Sequence, residues 1–118
     1  MNLILFILAA ALGGFIRFAL ESYLPPVGIS GFPRATFIVN LAGAFLLGIV
    51  LALPGEWRVI LGIGFCGALT TFSGVSLQLH RRLIALAYKQ ALVYSATLIS
   101  GGVIAAGSGI ILGRYLFT

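Results

Sequence analysis

Gly67-Ala68-Leu69-Thr70-Thr71-Phe72-Ser73-Gly74-Val75-Ser76 sits at the centre of a charge-free run from Val59 to Leu79. An apolar run of about 20 residues is long enough to cross a bilayer as a helix. Yet four of these ten residues carry hydroxyls and two are glycine, a poor composition for a helix. A break at membrane depth frees backbone N–H and C=O groups, and is tolerated only where it is buried in protein or lines a cavity. Freed carbonyls suit a small hard cation; freed N–H groups and helix N-termini face an anion. The stretch therefore predicts either an ion site at mid-membrane or a kinked helix whose hydroxyls bond back to their own carbonyls.

The surroundings place that stretch in a membrane protein. Of 118 residues, 61% are hydrophobic, 8% are charged and 16 are glycine, and the mean hydropathy is +1.20. A soluble domain carries about 25% charged residues, so this chain lacks a water-facing surface and is neither an ordinary soluble enzyme nor a disordered segment. Ala35 to Gly55 and Gln90 to Gly113 are also free of charge, and Asn2 to Leu20 is interrupted by Arg17 alone. These runs predict an all-α, multi-pass unit, with helices over about 2–20, 35–53, 58–79 and 90–115. The connections are short: a Pro/Gly-rich 22–33 with Pro25, Pro26 and Pro33, then Pro54-Gly55, then His80 to Lys89. Residues 2–12 are apolar enough for a signal peptide. No Lys or Arg precedes them and the run continues, so they read as a retained helix.

Charge gives the sidedness. Four crossings place Arg58 and Arg114 on one side and Arg17, Arg34, Arg81, Arg82 and Lys89 on the other, two against five. The positive-inside rule puts the richer side in the cytoplasm and both termini outside, with the plasma (inner) membrane as the location. The +5 net charge is scattered and accounted for by orientation, so no nucleic-acid partner is expected. Tyr23, Trp57, Tyr88 and Tyr115 fall near helix ends, as in aromatic belts.

Little catalytic chemistry is available. Glu21 and Glu56 lie at helix ends, His80 reads as a solvated loop residue, and Cys66 reads as packing. No nucleophile–base pair or metal cluster is visible, so an enzyme is not expected. Small pairs, Gly109/Gly113 and Gly102/Ala106, favour close helix packing, within one subunit or across a dimer seam. Asn40, with Thr36 one turn before it, is a polar group in the second helix. It reads as an interhelical hydrogen bond or as a donor in a pathway.

Gly67-x-x-Thr70-Thr71-Phe72-Ser73, Gly13-Gly14-x-x-Arg17, Thr36-x-x-x-Asn40-x-x-Gly43, and Tyr94 placed 22 residues after Phe72 together resemble the FluC (CrcB) fluoride channels. The resemblance implies an antiparallel (inverted) dimer of four-helix subunits with a broken third helix and two pores. It implies a central Na⁺, structural and not transported, held by the backbone carbonyls of Gly67 and Thr70. Fluoride is expected to pass Asn40, Phe72 and Tyr94 together with Thr36, Thr71 and Ser73, with Arg17 at a vestibule. Hydroxyl and amide donors and the positive edges of aromatic rings suit an anion that must shed water, and binding must stay escapable. The implied activity is passive export of fluoride from the cytoplasm.

The chain departs from the family pattern TTFSTF at Gly74 and Val75, and Leu98 and Gly102 stand where hydroxyls are expected after Tyr94. Ser95, Thr97 and Ser100 read as lying on other faces. With the two-against-five bias, these departures favour one half of a heterodimer, paired with an oppositely oriented sibling, over a homodimer with a second copy. Two other readings compete. A small multidrug exporter needs an acid in the first helix, and residues 2–20 have none. A non-conducting structural subunit leaves the break unexplained.

Overall fold

The computed structural model describes residues 1–25 and 27–118; Pro26 of the Pro/Gly-rich connection lies outside the described residues. Among those described there is no strand. α1 is Leu3–Tyr23, α2 is Arg34–Val50, and a π-helical segment, Arg58–Cys66, runs into α3, Gly67–Leu69. After two residues comes α4, Phe72–Ile84, and then α5, Tyr88–Phe117. Three spans are long and apolar enough to cross a membrane: Leu3–Tyr23, Arg58–Ile84 and Tyr88–Phe117. α2 is shorter, with 17 residues. At 1.5 Å per residue it covers about 25 Å, at the lower bound for a span.

Several ends differ from the sequence reading. α4 runs on to Ile84, so His80, Arg81 and Arg82 are helical rather than part of a loop. Gln78 explains the extension, because it holds Arg82 one turn later. α2 stops at Val50 and residues 51–53 form a turn, in which Leu53 gives its carbonyl to Arg58.

The break consists of two extended residues, Thr70 at φ −81°, ψ 159° and Thr71 at φ −144°, ψ 122°. β-branched residues are stiff at χ1 and favour extended backbone, so a Thr-Thr pair suits an interruption. Thr71 also caps α4, its Oγ1 accepting the Gly74 N–H at 2.9 Å.

α2 and α5 form the tightest seam. A Cβ on Gly109 would overlap the Phe45 carbonyl, and one on Gly113 would lie 2.7 Å from the Ile49 carbonyl oxygen. Gly109 and Gly113 thus pack inside the subunit, which settles which side of the molecule that pair serves. Gly102 faces open space. On the other side of α2, Gly43 admits the Thr70 methyl group, and Gly13 of α1 admits the Phe65 carbonyl. Glycines thereby bring α1, α2 and the third span close enough for side chains to reach the break.

The N-terminal ammonium meets Glu56 at 3.6 Å. Gly113 meets Ile49 near the end of α2. Both termini and the 51–57 turn thus share one end of the molecule, and Arg34, Arg81, Arg82 and Lys89 mark the other.

Candidate functional site

The Asn40 side-chain amide pairs with both backbone groups of Thr71. Its Oδ1 accepts the Thr71 N–H at 2.9 Å and its Nδ2 donates to the Thr71 carbonyl at 3.1 Å. The second Nδ2 hydrogen goes to the Thr36 carbonyl at 2.9 Å. A side-chain amide has two donors, so both are engaged in this chain. From the opposite flank, Arg17 Nη1 donates to the Thr70 carbonyl at 3.1 Å. The Thr70 hydroxyl donates back to the Cys66 carbonyl at 3.0 Å, so a back-bonded hydroxyl and a true break occur together. Thr71 and Ser73 share a hydroxyl–hydroxyl bond of 3.1 Å.

The bond from Thr71 to Asn40 has a consequence for Gly67. In a continuous helix the Thr71 N–H would reach the Gly67 carbonyl, which here loses that donor. One carbonyl without its helical partner and another, on Thr70, facing a guanidinium define the oxygen groups at the break. Among the described residues no group of His, Cys, Asp or Glu is placed to hold a metal, so the oxygens at the break are backbone carbonyls and the Thr71 and Ser73 hydroxyls.

Phe72 opens α4 with 85% of its surface exposed. It stands at a groove of about 440 Å³ that Asn40, Thr71, Val75, Ser95 and Leu98 also line. Ser95 therefore shares a face with Leu98, contrary to the reading that set it on another face. Its hydroxyl bonds back to the Ala91 carbonyl at 2.8 Å. Thr97 and Ser100 likewise donate to carbonyls of their own helix. A second cavity, of about 320 Å³, brings Arg17 together with Glu21, Thr71 and Ser73. A Cβ on Gly74 would lie 2.9 Å from the Thr71 methyl group, so the glycine leaves room for the Thr71 cap.

Tyr94 stands apart from this cluster. It is 1% exposed, with its ring edge-on to Phe32 at 5.6 Å and the Arg82 guanidinium 5.8 Å from its centre. Its hydroxyl is buried and has no hydrogen-bond partner among the described residues. An unpaired buried hydroxyl costs about 1–3 kcal/mol, and the Thr36 side chain lies beside this one. The structure thus joins Thr36, Asn40, Arg17, Thr70, Thr71 and Ser73 in one network, sets Phe72 on its rim, and leaves Tyr94 in a different cavity.

Arg82 is the residue that the sequence reading missed. It is 1% exposed, donating to the Gln78 carbonyl and Oε1 at 2.9 Å each and to the Gly31 carbonyl at 2.5 Å. The available signal was the Gln78/Arg82 spacing of four, which is a helical contact.

The family profile described as CrcB-like protein, Camphor Resistance (CrcB), matches residues 4–110. A protein of Caulobacter sp. (strain K31) named fluoride-specific ion channel FluC is 36% identical, over 99% of this chain and 98% of its own length. The FluC of Deinococcus radiodurans is 40% identical over 92% of each chain. FluC 2 of Bacillus thuringiensis subsp. konkukian (strain 97-27) is 41% identical over 80% of this chain and 86% of its own.

Proposed function

The chain belongs to the CrcB (FluC) family, and from that premise we propose that it is a subunit of a passive fluoride channel. It is a channel-family protein and not an enzyme. The observation that carries the reading is the Thr70–Thr71 break, held by Asn40 and Arg17 at the centre of an otherwise apolar span.

Fluoride must exchange its water for other hydrogen-bond donors. Thr71 lines both cavities at the break, with the Ser73 hydroxyl on one side and the Phe72 ring on the other, and the unpartnered Tyr94 hydroxyl is a donor elsewhere on the route. Asn40 serves the anion by releasing one of its two carbonyls. These donors are neutral, which keeps binding escapable. Fluoride that enters a cell as HF dissociates inside, and the channel lets the anion out down its gradient.

The carbonyls of Gly67 and Thr70 suit a structural Na⁺, a hard cation that prefers oxygen ligands. Thr70's carbonyl oxygen keeps a second lone pair beside the Arg17 bond. Two carbonyls per chain call for a second subunit to complete the set. The exposed Phe72 supports the same assembly, since a partner across the groove would cover it. With Arg17 engaged at the break, the charge split is two against four, and with Val75 it favours an oppositely oriented sibling, with this chain's termini outside the inner membrane.

Fluoride efflux from liposomes, with chloride as control, tests the reading. Fluoride-selective leak with this chain, alone or with a sibling, is the expected result. Leak from the chain alone establishes a homodimer that tolerates Val75. No leak in either case overturns the channel reading in favour of a non-conducting subunit. For orientation, an even mixture of mapped termini counts against the heterodimer.

A further inference from the structure

A cavity of about 190 Å³ opens between the 27–33 connection and the first turn of α5. Arg82 and Lys89 line it, with Ser30, Gln90, Phe32 and Tyr94 among the other walls. Arg82 is the unusual member. Its partners are all neutral: the backbone carbonyls of Gln78 and Gly31 and the Gln78 amide oxygen. Among the described residues the one ion pair is Met1 with Glu56, at the opposite end. Glu21 lines a different cavity, beside Arg81. A charge withdrawn from water and met only by dipoles carries a desolvation cost of several kcal/mol, which a neighbouring anion offsets.

The other walls agree with that sign. Lys89 adds a second, mobile charge. Ser30 and Gln90 add neutral donors. The start of α5, a 30-residue helix, contributes the positive end of its dipole and its unpaired first N–H groups. The guanidinium is already fixed by its three bonds, so binding an anion costs it little further side-chain freedom. The volume admits a tetrahedral oxyanion. The cavity also lies where α4 ends and α5 begins, the level of lipid headgroups, and basic pockets between membrane helices hold anionic headgroups.

We propose that this cavity binds a negatively charged phosphate group, presented by an anionic lipid headgroup or as free inorganic phosphate. Its recognition rests on the fixed Arg82 fork and on Lys89. The cavity shares Tyr94 with the proposed fluoride route, but neither Arg82 nor Lys89 belongs to that route.

Thermal unfolding of the full chain in uncharged detergent tests it, with additions of inorganic phosphate, phosphatidylglycerol or phosphatidylcholine. Phosphatidylglycerol or phosphate should raise Tm in a saturable way, and phosphatidylcholine should do so far less. Saturation by phosphate alone identifies the soluble ion as sufficient; saturation by phosphatidylglycerol only identifies the lipid. Lys89→Gln should weaken binding about fivefold, the weight of one lysine near an anionic surface. Arg82→Gln should abolish it. Arg81→Gln, which removes a neighbouring charge outside the cavity, should leave it unchanged. If Arg82→Gln does not fold, the Lys89 and Arg81 variants decide. Equal weakening by those two, or equal shifts from the two lipids, overturns the proposal.

Discussion

The α2–α5 seam and the break in the third span are both close approaches of helices, made by opposite means. At the seam, Gly48, Gly109 and Gly113 leave no side chain between backbones, and the contact is shape alone. At the break, the backbone of Thr70 and Thr71 is held by Arg17 from α1 and Asn40 from α2, two hydrogen bonds with Asn40 and one from Arg17. In lipid, where apolar surface gains little from leaving its surroundings, helices associate through close packing and hydrogen bonds. This chain keeps the hydrogen bonds to the break side of α2, where Gly43 also admits the Thr70 methyl group. The seam has a single solution, whereas the break has groups that can change partners, and only such groups can serve a passing ion.

The largest expected effect lies at the seam. Gly109→Val should prevent folding, since its Cβ overlaps the Phe45 carbonyl and rigid backbone cannot yield; the penalty exceeds the usual 1–3 kcal/mol of overpacking, about which soft side chains adjust. A monodisperse gel-filtration peak for this variant would break the contrast. Asn40→Ala comes next. Losing its bonds should cost about 2 kcal/mol of stability and leave the Thr71 N–H and C=O unpaired, while fluoride flux falls at least tenfold. Thermal unfolding and liposome efflux, read together, check it; lost stability with normal flux would make Asn40 a staple only.

Arg17 sharpens the comparison further. Arg17→Gln should cost about 1 kcal/mol, the loss of one hydrogen bond to the Thr70 carbonyl. It should also make Tm rise with added Na⁺ by more than in the unsubstituted chain, because a competing positive charge has left that carbonyl. An unchanged Na⁺ response counts against a cation at Thr70. Gly102→Ala should be the mildest, within about 0.5 kcal/mol, since nothing faces that position. A large loss there would show that another surface packs on it.

The helices were legible because charge-free runs of membrane-spanning length leave few alternatives. The break was legible as well, since two glycines and four hydroxyls in ten residues oppose a regular helix. What sequence could not give was partnership. Nothing in the spacing of Asn40 and Thr71 tells that an amide will pair with both the N–H and the C=O of one residue. Nor does Arg17's position in a helix tell that it reaches the Thr70 carbonyl. Arg82 was hidden for a different reason. A charged residue in an apparent loop reads as solvated, and only the extension of α4 through Ile84 turns it inward. The π-helical turns of Arg58–Cys66 likewise left no mark in composition.

The unequal lengths of the two helices at the seam bear on the membrane itself. α5 has 30 residues, about 45 Å of helix, and lies against an α2 of 17 residues, about 25 Å. A hydrocarbon core of about 30 Å cannot match both, so α5 must lean or emerge while the lipid beside α2 thins. Because the glycine seam locks the two together, that mismatch cannot relax by sliding. Bilayer thickness thereby becomes a mechanical load on the subunit, borne by the same α2 that carries Asn40 to the break.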